Sequence, residues 1–347
     1  MDVNTYYHQL KLTNEGGNTV IRFGIIGTNW ITEKFIEAAS EVDGFQLAAV
    51  YSRTEEKAAE FAGKFGVKTT FTNLEEMASS SEIDAVYIAS PNSFHSRQAI
   101  QFLQNKKHVI CEKPVASNQK EFSEMIEVAR ENNVLLMEAM KSTFMPAFKA
   151  VQDNIHKIGK VRRYFASYCQ YSSRYDAYKE GRVMNAFDPK FSSGSLMDIG
   201  IYCIYPLVVL FGKPLEVKAN SYLLETGVDG QGSVLLKYED MDAVVMYSKI
   251  TDSFLPSEIQ GEKGSIMIDK ISAPEQVEIR YRDGNVEKIA AESISNSMYY
   301  EAEEFAQLIK NGDAESSINT FENSMIVMEI LDEVRKQVGV VFPADQK

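Results

Sequence analysis

Val20-Ile21-Arg22-Phe23-Gly24-Ile25-Ile26-Gly27-Thr28-Asn29-Trp30-Ile31-Thr32 is the stretch that decides the fold. An apolar run of strand length ends in a glycine turn, and the following residues open a helix that carries Phe35, Ile36 and Ala39 on one face. In that order the three pieces let backbone N–H groups and a helix N-terminus meet a pyrophosphate. A dinucleotide fingerprint has glycine at three places. Here Gly27 fits the first, while Asn29 takes the second and Thr32 the third. Asparagine tolerates a left-handed backbone better than most residues, so the turn survives, but close approach at Asn29 and tight packing at Thr32 are weakened. Gly27, Thr28, Asn29, Trp30 and Ile31 are the first cofactor-binding candidates, and an ordinary βα turn is the plain alternative.

Outward from this stretch the pattern repeats: strand 46–51, helix 55–65, strand 68–71, helix 74–79, strand 85–89, helix 95–105, strand 107–111, helix 119–132 and strand 134–139. Six alternating strand–helix pairs predict a doubly wound parallel sheet, in which the carboxyl ends of the strands face the ligand crevice. Residues just past each strand are therefore site candidates. After the second strand stand Ser52 and Arg53, with Lys57 one turn on, where an NAD site would show an acid for the ribose 2′-hydroxyl. Donors here favour a 2′-phosphate, hence NADP with NAD as the alternative. After strand 85–89 come Ser90, Pro91, Asn92 and His95. Asn92 and His95 are placed to bond the nicotinamide ribose, and Asn92 or Ser93 equally suits a cap on helix 95–105. Val109-Ile110-Cys111-Glu112-Lys113-Pro114 ends the next strand, because Pro114 cannot donate to a sheet ladder. The proline keeps Lys113 out of the helical region, so Glu112 and Lys113 sit at a strand's carboxyl end. A solvated surface lysine is the plain alternative.

At 347 residues the chain is long enough for two domains. The reading is a polar extension over 1–19, a dinucleotide-binding domain over 20–141 and a second domain over 142–347. With 44% hydrophobic and 24% charged residues the composition is that of a soluble globular protein. A net charge of −13 argues against nucleic acid or an anionic membrane as partner. No run is read as approaching the ~18 apolar residues of a membrane span, and no signal pattern opens the chain, so the expectation is cytoplasmic. Cys111, Cys169 and Cys203 are odd in number and far apart, and His8, His95, His108 and His156 lack ligand spacing. Neither a disulfide framework nor a metal site is expected.

In the second half the period changes. Strands at 161–171, 216–224, 232–237 and 243–250, with hairpins at 259–266 and 277–289, predict a large, mostly antiparallel sheet in an α+β domain. One face of it is free to pack, giving a homodimer or higher homo-oligomer. Tyr164, Tyr168, Tyr171, Tyr175 and Tyr178 are read as packing, and helices 299–311 and 321–338 are given no chemistry. Residues 194–206 read as a helix capped by Ser192, Ser193 or Ser195, with Asp198 and Tyr202 four apart on one face. Gly200 costs about 1 kcal/mol against alanine in a helix, which hints at a close neighbour, and Pro206 bends the helix near Tyr202. A tyrosine is a poor base unless a cation lies beside it, and Lys113 is the candidate cation. An interdomain helix whose Asp caps a neighbour is the plain alternative.

Val109 to Pro114, Gly194 to Tyr202, the turn at Gly27 and Met137-Glu138-Ala139-Met140 together resemble the glucose-fructose oxidoreductase, inositol dehydrogenase and rhizopine catabolism (Gfo/Idh/MocA) family, from about Val20 to the chain end. The Asp198, Gly200, Tyr202 helix is most similar to glucose-fructose oxidoreductase, dimeric dihydrodiol dehydrogenase and NADP-dependent xylose dehydrogenase. The resemblance implies a Rossmann domain and hydride transfer between NAD(P) and a CH–OH or C=O carbon of a sugar, polyol or cyclic diol. It also implies catalytic Lys113, Asp198 and Tyr202: Tyr202 gives or takes the proton, Lys113 lowers its pKa and orients the substrate oxygen, and Asp198 holds Lys113 or a substrate hydroxyl. Where the dihydrodiol and xylose group carries Trp, Thr and Arg after the Met-Glu-Ala strand, this chain has Lys141, Ser142 and Thr143, so a substrate-gripping arginine is missing. A non-catalytic regulator that binds NAD(P) and a sugar is the alternative on the same fold, against which retention of Lys113, Asp198 and Tyr202 speaks.

Overall fold

Ile21, Phe23, Ile25 and Ile26 are each at most 3% exposed, as a strand covered on both faces requires. In the computed structural model, which describes residues 20–289 and 292–346, they form β1 (Ile21–Ile26) in the middle of a six-stranded parallel sheet. The strand order is β3-β2-β1-β4-β5-β6, with β2 Phe45–Tyr51, β3 Thr69–Phe71, β4 Ala85–Ile88, β5 His108–Glu112 and β6 Leu136–Ala139. Helices α1 (Trp30–Ala39), α2 (Glu55–Lys64), α3 (Leu74–Ser79), α4 (His95–Gln104) and α5 (Gln119–Asn132) make the crossovers. Strand order reverses between β1 and β4, so the crevice of the doubly wound fold opens at the ends of those two strands. The extension expected at 1–19 lies outside the described residues.

After α6 (Pro146–Asn154) the chain builds an eight-stranded sheet in the order β14-β13-β12-β11-β7-β10-β9-β8. Its strands are β7 Val161–Cys169, β8 Glu216–Leu223, β9 Asp229–Lys237, β10 Asp242–Ser248, β11 Ser257–Gly261, β12 Gly264–Ile268, β13 Val277–Tyr281 and β14 Val286–Lys288. All neighbours pair antiparallel except β7 and β10, which run parallel with Tyr168 opposite Tyr247. One face is buried: Val234 and Leu236 on β9 point into the core, while Leu235 between them is 56% exposed on the other face. A short helix α7 (Tyr175–Lys179) lies beyond β7. A π-helical turn, Leu196–Gly200, leads into α8 (Ile201–Phe211), which packs under β7 and β10.

The long helices α9 (Tyr299–Asn311) and α10 (Phe321–Val338) close the chain on different bodies. α10 lies against α8 and β8, whereas α9 returns to the first sheet, where Phe305 meets Phe45 at 6.0 Å and Lys310 donates to the carbonyl of Asp43. One expectation is corrected here. The segment Pro189–Phe211 does have the length and mean hydropathy, 1.7, of a membrane span, but 72% of it is buried within the protein, so its apolarity serves the core.

Candidate active site

The turn between β1 and α1 is built by one obligatory glycine and one asparagine cap. Gly27 has φ +109°, and a Cβ there would stand 2.6 Å from the carbonyl oxygen of Ala89. Asn29, by contrast, is extended at φ −117° and ψ 175°, so left-handed tolerance is not why it is accepted. Its Oδ1 accepts from the backbone N–H of Ile31 (3.0 Å) and Thr32 (3.2 Å), and its Nδ2 donates to the carbonyl of Ala89 (2.9 Å). The side chain caps α1 and ties it to the end of β4, and Thr32 packs fully buried where a third glycine would sit. Asn29→Ala is expected to cost about 1 kcal/mol for the lost cap, read as a fall in thermal midpoint of about 2–4 °C.

One cavity of about 1120 Å³ runs from this turn to the second sheet and is lined by every candidate named from the sequence, from Gly27 through Ser52, Ser90 and Glu112 to Asp198 and Tyr202. Arg53 and Lys57 line it at the end of β2, exposed and, among the described residues, without an ion-pair partner for either side chain. That is the environment a phosphate fits. Trp30 stands at the rim, 66% exposed. Ser90 donates through Oγ to Gln98 Oε1 (2.6 Å).

Asn92 does not cap α4, which begins from a 3-10 turn, Asn92–Phe94, without a side-chain cap, and Ser93 does not cap it either. Instead the Asn92 amide donates to the carbonyl of Ser192 (2.9 Å), linking the two halves of the protein. His95 is buried with its ring nitrogens 2.9 Å from the Pro114 carbonyl and 2.7 Å from that of Ser90. The nitrogen that carries the proton donates to one of these carbonyls, so the ring braces the turns after β4 and β5.

The opposite wall depends on the π turn. No serine caps it; the N–H of Leu196 donates to Asp229 Oδ2 (2.6 Å), a carboxyl that burial pushes up to about 6. Gly200 lies against the Tyr247 ring, where a Cβ would approach to 3.0 Å, so its presence is explained by packing. This placement points Asp198 and Tyr202 at Lys113. The Lys113 ammonium donates to the carbonyl oxygen of Asp198 (2.8 Å) and to its Oδ1 (3.2 Å), and lies 5.0 Å from the centroid of the Tyr202 ring. The second carboxylate oxygen, Oδ2, pairs with Lys249, which follows β10.

The charges follow from these contacts. Burial works against the Lys113 ammonium, but Tyr202, Asp198 and Glu112 outweigh it and hold its pKa above the ordinary value. Burial likewise opposes Asp198, yet Lys113 and Lys249 keep it below the usual carboxylate range. For Tyr202 the balance goes the other way. Burial lifts the phenol, Lys113 draws it down, and Glu112 and Glu301 push it up again, so the net shift is upward. The expectation that Lys113 lowers this pKa holds for its own contribution and not for the sum.

Three neighbours were not legible as site residues. Lys249 was read as part of a strand, Tyr168 as packing and α9 as without chemistry. Tyr168 meets Tyr202 edge to face at 5.9 Å and lines the cavity; strict alternation along β7 was the available signal. Glu301 of α9 is fully buried with both carboxyl oxygens unpartnered, and burial beside Glu112 raises its pKa well above the usual range. Glu112 itself accepts from the Tyr87 hydroxyl at 2.7 Å. In the segment where the related group carries Trp, Thr and Arg, Lys141 reaches the cavity, whereas Ser142 and Thr143, the latter at the arginine's place, are core, Thr143 donating to Asn319 Oδ1 at 2.7 Å.

Comparison with known proteins agrees with this arrangement. The family described as "Oxidoreductase family, NAD-binding Rossmann fold" (Gfo/Idh/MocA) matches residues 21–140, and the "GFO/IDH/MocA C-terminal domain" matches residues 149–267. The scyllo-inositol 2-dehydrogenase (NADP(+)) IolU of Bacillus subtilis (strain 168) is 59% identical over 327 residues, covering 94% of this chain and 100% of its own. The trans-1,2-dihydrobenzene-1,2-diol dehydrogenase of Xenopus tropicalis is 31% identical over 336 residues, covering 93% and 99%. A crystal structure of a 3-ketoreductase from Actinomadura kijaniata with NADP and TDP-benzene superposes with a TM-score of 0.82 at 24% identity, over 92% of this chain and 98% of that one, a likeness of fold. Matched across both sheets and aligned with relatives covered almost end to end, the chain belongs to the Gfo/Idh/MocA family of NAD(P)-dependent oxidoreductases.

Proposed function

We propose that the protein interconverts a secondary alcohol and a ketone on a cyclic polyol or diol, with NADP as its preferred cofactor and scyllo-inositol as the first substrate to try. The observation that carries this reading is the convergence, in one cavity, of an ammonium from the end of β5 and a phenol from α8, 5.0 Å apart by ring centroid. The bound nicotinamide supplies or accepts the hydride. In the reduction direction the Tyr202 hydroxyl gives its proton to the substrate oxygen as the carbonyl carbon gains the hydride; oxidation reverses both transfers. Lys113, held by Asp198, stabilises the charge that develops on that oxygen. Gly27 to Ile31 form the pyrophosphate turn, and Ser52, Arg53 and Lys57 the 2′-phosphate seat. Ser90, Pro91 and Glu112 line the cofactor side of the cavity, while Asn92 and His95 fix its turns.

The finer readings of the chain follow the same lines. We divide it into a dinucleotide-binding unit over 20–141 and a substrate unit over 142–347, with α9 packed back on the first. Leu235 and Met246 on the open face of the second sheet support a homo-oligomer through that face, and the free thiols of Cys111, Cys169 and Cys203 suit a reducing compartment such as the cytoplasm.

The test is steady-state turnover of scyllo-inositol with NADP+ and with NAD+, alongside reduction of the corresponding ketone with NADPH. No turnover of any polyol, diol or ketone by a protein that binds NADPH would sink the proposal. In the same assay Arg53→Ala is expected to weaken NADP use by about 10- to 100-fold, the loss of one charge-assisted bond, with NAD use within about twofold. Equal losses with both cofactors would move the 2′-phosphate seat elsewhere.

A further inference from the structure

Lys249 is a second ammonium in a site whose chemistry needs one. Its main chain is clamped: the N–H donates to the carbonyl of Gly230 (2.9 Å), and its own carbonyl accepts from the N–H of Ser172 (2.9 Å). Its side chain is 9% exposed and lines the cavity that holds Lys113 and Tyr202. Among the described residues the one hydrogen-bond partner of the ammonium is Asp198 Oδ2, which leaves two N–H donors without a protein acceptor. Asp229, the other carboxyl that feels the Lys249 charge, accepts through Oδ2 from the backbone N–H of Leu196.

An ion pair that only held the fold together would need a single cation for Asp198, whose side chain is 38% exposed to the cavity, and Lys113 already fills that place. Burying a further ammonium against an already paired carboxylate is costly unless something else accepts its hydrogen bonds. The two ammoniums bracket one carboxylate, each on a different oxygen, and both line the same cavity with N–H donors to spare. They also leave a surplus of one positive charge over Asp198. A charged, hydroxyl-seeking group is thus supplied from the second sheet, beside Tyr202, in a chain whose segment 141–143 directly after β6 carries no arginine.

We propose that Lys249 is a substrate-binding residue that grips the hydroxyl adjacent to the reacting carbon, so that the site selects vicinal diols and polyols over isolated alcohols. This deepens the functional reading above and rests on it. The cavity then sorts substrates by a pair of oxygens: the reacting one faces Tyr202 and Lys113, and its neighbour donates toward Asp198 while accepting from Lys249.

The experiment measures kcat and KM for scyllo-inositol and for cyclohexane-1,3,5-triol, in which no carbinol carbon has a hydroxyl on either neighbour, in the wild type, Lys249→Met and Lys249→Arg. The wild type is expected to favour scyllo-inositol by at least about tenfold, since a site built to bond a hydroxyl rejects the analogue without it. Lys249→Met is expected to raise KM for scyllo-inositol about 10- to 100-fold, to bring the ratio between the two substrates close to one, and to leave NADPH affinity by fluorescence within about twofold. Lys249→Arg should recover part of the preference. Should Lys249→Met not fold, Lys249→Gln, which keeps two neutral donors, carries the same comparison. An active wild type whose preference survives both neutral variants overturns the role of Lys249 alone; a wild type inactive on both compounds overturns the functional reading and this inference with it.

Discussion

Lys113→Ala is expected to lower kcat by about a thousandfold, inside the range found when a positioned acid–base or charge-stabilising group is removed. The same variant should bind NADPH within a few-fold of the wild type, because the proposed 2′-phosphate seat at Arg53 and Lys57 and the proposed pyrophosphate turn at Gly27 lie on other loops of the first sheet. The fold should survive the change. Asp198 keeps Lys249 as a partner, Glu112 keeps the Tyr87 hydroxyl, and the π turn remains capped by Asp229. Absorbance at the NADPH band gives turnover and a fluorescence titration gives binding. Turnover within about tenfold of the wild type would remove Lys113 from the chemistry.

Tyr202→Phe is expected to lose about 10²- to 10³-fold in kcat/KM and, more tellingly, to abolish a pH dependence. The sign follows from the upward shift of the phenol. Alcohol oxidation needs the deprotonated group, so its rate should climb with pH and not level off below roughly the ordinary tyrosine value near 10. Ketone reduction uses the protonated phenol and should be flat through neutral pH. The groups acting on this phenol are Lys113 from the first sheet, Glu112 beside it, Glu301 from α9 and Tyr168 from β7. An oxidation profile that plateaus below about pH 8, or that keeps its slope in Tyr202→Phe, would assign the proton to another group.

The first sheet was legible because its strands other than the short β3, Thr69-Thr70-Phe71, are apolar-rich runs read by their own composition, and the helices between them announce themselves by period. The carboxyl-end rule then drew attention to Arg53, Asn92 and Lys113 without any contact being known. What was not legible is pairing across long sequence separations. Asn29 was judged by backbone tolerance, when its work is done by an amide reaching Ala89 sixty residues away. The cap on the π turn comes from Asp229 rather than from three adjacent serines, and nothing local marks a carboxylate thirty-three residues downstream as its source. Lys249 is one lysine after one strand, and only the tertiary arrangement brings it to Asp198.

The parallel pairing of β7 with β10 inside an otherwise antiparallel sheet has a consequence for how such proteins diversify. Two strands running the same way finish at the same end of the sheet, so the segments beginning at Gln170 and at Lys249 emerge side by side on the wall of the cavity. Two short segments on one rim thus carry much of the second sheet's share of the cavity wall, while the hairpins from β11 to β14 reach it through Ser272. A single-residue slip of β10 would turn Lys249 to the opposite face, which makes the register of that one strand the setting on which selectivity turns.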